Sequence, residues 1–225
     1  MNDLTIIFLT VNRVPAEWSD YQQRVMLQAI GDTSLITISR LPMHLGTNLI
    51  QDGPENSSNI YRQLLRGAKL ATTPYIAVAE DDVLYCEEHF ALYRPPMDTF
   101  AYNMNRWSLF TFGQALFSYK HRQGNFALIA PRELAITALE ERFAKYPEGT
   151  PLKWTGELGK VRVERGLRVT PRKAVEFYTT VPIVQFSHDY GIEAIQRKHT
   201  KRMGWVRAVE IPYWGRADEL RKRFV

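Results

Sequence analysis

The 225-residue sequence predicts an α/β domain built on a mostly parallel sheet, and three observations predict it. Apolar, β-branched runs at residues 4–11 and 75–79 have the unbroken hydrophobicity of strands buried on both faces. Segments of helical spacing lie between such runs, giving the strand–helix–strand–helix–strand order of a sheet covered by helices. The composition is 45% hydrophobic, 12% aromatic and 24% charged, which excludes disordered, collagenous and fibrous classes.

Residues 4–11 (LTIIFLTV) open the chain as a strand. Pro15 begins a helix running to Ile30, with Trp18, Tyr21, Val25 and Ala29 at helical spacing. Residues 34–39 (SLITIS) form a second strand. Residues 42–58, with Pro42, Gly46, Gly53, Pro54 and Asn56, read as a long loop whose Ser57 or Ser58 caps the next helix. That helix spans 59–71 and carries Ile60, Leu64, Ala68 and Ala71 on one face. The third strand, 75–79, runs directly into Glu80-Asp81-Asp82. Strands are then expected at 107–112, 115–119 and 126–130, and a helix at 131–145. A Gly-, Pro- and charge-rich loop (147–173) rounds the sheet edge, followed by strands at 175–178 and 181–186 and a final helix at 217–223. No repeat, low-complexity tract or linker divides the chain, so one domain is expected.

The charges, 29 Lys+Arg against 24 Asp+Glu, sum to +5 but are unevenly spread. Residues 1–150 hold 13 basic and 16 acidic side chains, a net −3; residues 151–225 hold 16 and 8, a net +8. The sequence pI near 9.3 therefore belongs to the last third. Arg197-Lys198-His199-Thr200-Lys201-Arg202, followed by Trp205, suits a polyanion with a stacked base, or else a solvated helical face. No helix-turn-helix, zinc-finger or RNP-like motif is present, which argues against sequence-specific DNA reading. No apolar run approaches the ~18 residues of a membrane span, and Asp3 precedes only a short apolar stretch. The single Cys86 forms no intrachain disulfide, so a cytoplasmic protein is expected.

Chemistry concentrates at the expected strand ends, where open α/β sheets bind ligands. Three successive carboxylates repel one another, and a divalent cation relieves the repulsion, Mg²⁺ or Mn²⁺ using one or two of them plus phosphate oxygens. Thr10-Val11-Asn12-Arg13 occupies another strand end. His188 and Asp189 end the strand at 181–186; imidazole joins carboxylates around Mn²⁺, or simply caps the strand by hydrogen bonding. Glu157, in the glycine-flanked loop Trp154-Thr155-Gly156-Glu157-Leu158-Gly159, is a candidate general base, or a partner for Lys153 or Lys160. Trp107, Trp154, Trp205 and Trp214 are candidates for stacking or for the core, Trp154 and Trp205 standing in Gly-flanked basic loops.

Residues 67–84 (GAKLATTPYIAVAEDDVL) resemble the central motif of GT-A glycosyltransferases of the family 2-like group, with Glu80-x-Asp82 in place of the acidic DxD-type motif. Residues 6–13 resemble the first strand and nucleotide-binding loop of that fold, and residues 124–133 its acceptor-side segment. The resemblance covers about residues 4–135 and more loosely continues to His188. The chain departs from it with Ser39-Arg40 in place of an acidic residue, and Leu64-Leu65 in place of Arg-Asn.

The resemblance implies a single GT-A (Rossmann-like) domain with a mostly parallel sheet, a nucleotide-sugar-binding half (1–98) and an irregular acceptor-side half (99–225). It implies a metal, Mn²⁺ or Mg²⁺, on Glu80, Asp82 and His188, and a nucleotide-sugar donor, a UDP-sugar. Thr10, Asn12, Arg13 and Asp81 would contact the nucleotide, Lys201 and Arg202 would close over its diphosphate, and Glu157 would act with Asp82 in catalysis. The basic last third extends the expectation to a DNA acceptor, a hydroxymethylated pyrimidine as glycosylated by some phage enzymes of this type, flipped or exposed for reaction. Two other classes remain. A nucleotidyltransferase acting on a sugar phosphate would favour glycines that Asn12-Arg13-Val14-Pro15 lacks. A non-catalytic nucleic-acid-binding module leaves Glu80-Asp81-Asp82 without a role.

Overall fold

The structure is a computed structural model and describes residues 3–54, 56–189 and 203–224. Its first half runs β1 (Leu4–Leu9), α1 (Ala16–Ile30), β2 (Ser34–Ser39), β3 (Thr47–Ile50), α2 (Ser57–Leu70), β4 (Tyr75–Glu80), β5 (Val83–Leu84) and α3 (Glu87–Ala91). There follow β6 (Thr99–Asn103), β7 (Arg106–Phe110), β8 (Phe117–Tyr119), β9 (Leu128–Pro131), α4 (Arg132–Lys145), α5 (Val161–Leu167), β10 (Lys173–Phe177) and β11 (Ile183–Ser187). The last described elements are β12 (Val206–Ala208), β13 (Glu210–Ile211), β14 (Gly215–Arg216) and α6 (Ala217–Arg221).

Seven strands form the main sheet in the order β10-β6-β9-β4-β1-β2-β3. β1 sits inside it, parallel to β2 (Thr5 opposite Ser34) and to β4 (Leu9 opposite Glu80). Only β9 runs against its neighbours in this sheet, pairing antiparallel with β4 and β6. The expected α/β class with a mostly parallel central sheet is thus the class observed.

Alternation along β1 and β4 divides the core. Leu4, Ile6, Phe8, Ala77 and Ala79 face α1, where Met26, Ala29 and Ile30 cover them. Ile7, Leu9, Ile76 and Val78 face α2 and α4, packing on Tyr61, Leu64, Ala68, Ala138 and Leu139. Each Leu, Ile, Val, Phe or Met among them, fully buried, stabilises the fold by about 1.5–3 kcal/mol. Gly67 lets α2 lie on the sheet, since a Cβ there would meet Ile7 Cγ2 at 2.6 Å.

A second sheet, β12-β8-β7-β11-β5, leans on the first. β5 follows β4 after one turn and pairs antiparallel with β11, bringing the end of β11 to Asp82. Trp18 of α1, with α6 and Phe224, fills the cluster over this sheet.

Several elements differ from the sequence expectation. Asn56, not Ser57 or Ser58, caps α2, its side chain accepting from Asn59 N at 2.9 Å; Ser58 Oγ instead accepts from Thr150 N at 3.0 Å. The loop at 42–58 contains β3 and the loop at 147–173 contains α5. β6, whose five residues are all buried, lies between the main sheet's edge strand β10 and β9.

Candidate active site

The carboxyl ends of β1 and β4 meet side by side, and the pleat sorts the acidic triplet. Ile76 and Val78 point to the α2–α4 face and Ala77 and Ala79 to the α1 face, so Glu80 and Asp81 leave on opposite sides.

Asp81, on the α1 side, accepts a short hydrogen bond from Thr10 Oγ1, and its backbone carbonyl accepts from Trp18 Nε1 at 2.8 Å. Burial outweighs the lowering effect of the Thr10 hydrogen bond and leaves its carboxyl raised to about 6. Thr10 Oγ1 also accepts from Asn12 N at 2.8 Å. Asn12 adopts a left-handed conformation (φ 56°), which Asn tolerates better than most residues. Its Oδ1 accepts from Arg40 N and Leu41 N, both at 2.9 Å, tying the loop after β1 to the end of β2. Arg13 is exposed.

Asp82 lies past the strand. Its backbone carbonyl accepts from Phe186 N at 2.7 Å, and its Oδ2 accepts from Gln185 Nε2 at 3.4 Å. The same Oδ2 is 3.7 Å from His188 Nε2. His188 is 7% exposed, its ring 4.8 Å from that of Phe224. Two donors each about 2.1 Å from one ion stand roughly 3–4 Å apart, so this oxygen–nitrogen pair fits a shared Mg²⁺ or Mn²⁺ completed by water and phosphate.

Glu80 does not join them. Its carboxylate accepts from Asn125 Nδ2 at 3.5 Å, its N–H donates to Tyr85 Oη at 3.0 Å, and its carbonyl accepts from Gln22 Nε2 at 3.4 Å. Among the described residues no three His, Cys, Asp or Glu side chains form a metal-holding group. Of the three residues expected to share a metal, Asp82 and His188 stand together, while Glu80, the last residue of β4, faces Asn125.

Glu157 sits on the α2–α4 face, 9% exposed, with Lys160 Nζ 2.6 Å from its Oε2. Its loop is held by Arg142 Nη1 donating to Gly156 O (3.2 Å) and Tyr102 Oη donating to Leu158 O (2.8 Å). Burial pushes the Tyr61 phenol well up, the charges of Glu157 and Glu80 add to this, and the Arg142 guanidinium, stacked 4.9 Å from the Tyr61 ring, opposes it. Tyr61 is thus the point at which Glu157 and Glu80 share a face.

Lys201 and Arg202 lie outside the described residues. Of the tryptophans, Trp107 packs at a tilt against Tyr119, Trp214 Nε1 donates to Pro182 O at 2.7 Å, and Trp154 lies under Gly166 with Lys153 over its ring. Trp205 is 98% exposed. Sequence reasoning missed Gln185 and Trp18 as neighbours of the acids. Gln185 carried a signal, being a lone amide inside the apolar run 181–186.

No protein-family model matches the chain, and no curated protein matches it in sequence. Several solved structures are similar to it over much of its length. A glycosyltransferase involved in the glycosylation of the major capsid of PBCV-1 is 9% identical over 81% of this chain and 91% of that one, with a TM-score of 0.49. A mannosyltransferase from Pyrobaculum calidifontis, in complex with GDP-Man and Mn²⁺, is 11% identical over 82% and 56%, with a TM-score of 0.44. The bifunctional IspDF from Campylobacter jejuni is 10% identical over 79% and 50%, with a TM-score of 0.42. The chain spans about half the length of the last two.

Proposed function

We propose that the chain is a metal-dependent glycosyltransferase that moves a sugar from a nucleotide-sugar donor, a UDP-sugar, to an acceptor hydroxyl. The observation that carries this reading is the convergence of Thr10–Asp81 and Asp82–His188 at the carboxyl ends of β1, β4 and β11, the edge where such sheets bind ligands. Asp82 and His188 are the residues that would hold Mn²⁺ or Mg²⁺, which when bound neutralises the charge developing on the departing diphosphate.

The chain's own groups have distinct tasks in this reading. Thr10, Asn12 and Arg13 line the nucleotide, and the Asp81–Thr10 hydrogen bond fixes the loop that carries them. Lys201 and Arg202 are assigned to the diphosphate. Glu157 accepts the acceptor's hydroxyl proton as the oxygen attacks the anomeric carbon and the nucleoside diphosphate leaves with the bonding pair. Lys160, its ion-pair partner, has to yield to the acceptor. Residues 1–98 then form the nucleotide-sugar half, and 99–225 form the acceptor-side half and also lend His188, Lys201 and Arg202 to the donor diphosphate, within one domain.

The acceptor we favour is a hydroxymethylated pyrimidine in DNA. β12 and β5 are opposite edges of the second sheet, so Trp205, beside β12, stands across that sheet from Asp82. With exposed Lys120 and Arg122 close in the chain to its partner strand β8, and a cavity of about 260 Å³ between Lys120, His121 and Trp205, this face supports contact with phosphates and an unstacked base. No helix among the described residues is long and apolar enough to cross a membrane, and we place the reaction in the cytoplasm.

A screen of sugar nucleotides for Mn²⁺-dependent hydrolysis tests the activity, and silence across all common donors defeats it. Pyrophosphate release from a nucleoside triphosphate would instead select nucleotidyl transfer. Filter binding to duplex DNA over rising salt tests the acceptor; absence of affinity at low salt rejects it.

A further inference from the structure

We infer that Arg106 is a positioning residue for Asp82, acting through the side-chain amide of Gln185. The inference rests on the assignment of Asp82 to the donor site. Gln185 interrupts an apolar strand whose Ile183, Val184 and Phe186 are fully buried, and Arg106, 6% exposed, opens the strand beside it. β7 and β11 are parallel with Ser108 opposite Gln185, so Arg106, Ser108 and Gln185 line one face of the second sheet.

The hydrogen bonds along that face have a fixed direction. The Arg106 guanidinium lies 4.8 Å from the Phe126 ring centroid; Nη1 donates to Arg122 O at 3.3 Å, and Nη2 to Ser108 Oγ at 3.1 Å and Gln185 Oε1 at 3.0 Å. A guanidinium only donates, so Gln185 has to turn its oxygen toward Arg106 and its nitrogen away. That nitrogen meets Asp82 Oδ2, the oxygen facing His188. With Arg106 removed, the amide keeps only its long 3.4 Å contact to Asp82 Oδ2 and loses the partner at 3.0 Å that anchors its other end. An unanchored amide would no longer fix the carboxylate, letting Asp82 Oδ2 turn from His188 Nε2 and separate the two donors of the candidate metal pair.

The test titrates Mn²⁺, with UDP present, into the full chain and follows water-proton relaxation. Wild type and Asp82→Asn come first. If wild type binds no Mn²⁺, or Asp82→Asn binds it equally well, the donor-site assignment fails and the inference falls with it. Where Asp82→Asn loses Mn²⁺, Arg106→Met and Gln185→Met are each expected to weaken binding about 10-fold, and the double variant no further, because both act through one amide. Arg106→Lys keeps one donor for Gln185 Oε1 and is expected to stay within about 3-fold of wild type. Wild-type Mn²⁺ affinity in Arg106→Met overturns the positioning role while leaving the donor site intact, and so does a double variant whose losses multiply. Should Arg106→Met fail to fold by circular dichroism, Gln185→Met decides alone, and unchanged affinity there overturns it.

Discussion

Two buried imidazoles lie at opposite ends of the functional scale. His188, at the end of β11, faces the carboxylate of Asp82 across 3.7 Å. His89, in α3, is fully buried among Tyr85, Phe90 and Phe177, with Asn103 Nδ2 3.3 Å from its Nδ1. Burial alone drives His89 down to about 3, so it stays a neutral core ring. The adjacent carboxylates repeat the lesson. Asp81 is tied to Thr10 and Trp18 beneath the loop, while Asp82 faces a histidine and an amide. What distinguishes a candidate site here is the partner a buried group faces, not its depth.

The sharpest way to break the contrast is at Asp82. Asp82→Ala is expected to reduce Mn²⁺-dependent donor turnover by about 10³-fold while the urea midpoint hardly moves. A large loss of stability with turnover retained would make Asp82 structural.

The next effect is at His89. The unfolded ring titrates near 6.5, and the folded ring near 3. Between these values the unfolded chain binds more protons, so stability is full above pH 6.5 and falls as the pH drops. By pH 4 the loss is about 3 kcal/mol, read as a shift of the urea midpoint. His89→Leu should flatten that slope, since Asn103 Nδ2 keeps Thr179 Oγ1 at 3.0 Å; an unchanged slope would place the acid sensitivity elsewhere.

Thr10→Val removes the donor to Asp81 and is expected to cost about 1–3 kcal/mol of stability, read as a shift of the urea midpoint that Asp82→Ala does not show. Trp205→Ala should change stability by less than about 0.5 kcal/mol, because the side chain is 98% exposed. The same variant should weaken DNA binding measurably in the filter assay; equal affinity would remove Trp205 from any base contact.

The strands β1 and β4, the helix α1 and the acidic triplet were legible because continuous apolar runs and helical spacing are local properties. β6 was not. Its sequence TFAYN follows Pro95-Pro96 and ends in a polar residue, and its burial comes from β9 and β10, distant in the chain. Asn56 prevailed over two serines as helix cap because Ser58 found a partner in Thr150, a contact no local pattern contains. At the site, the presence of Glu80, Asp82 and His188 was readable, but the separation of Glu80 from the other two depends on the turn at Asp81-Asp82 that ends β4 and on the placement of β11 beside it. The link between Gln185 and Asp82 needed the antiparallel pairing of β5 with β11.

The pleat of β4 works as a sorting gate for the first two of the three acids. A single residue inserted ahead of Glu80 would exchange the faces taken by Glu80 and Asp81 and carry the Thr10 partner to the wrong side. Swapping Glu80 and Asp81 would leave composition and net charge untouched yet produce the same misdelivery. The order of the triplet, and its phase relative to the apolar strand, therefore carry as much information as the acids themselves.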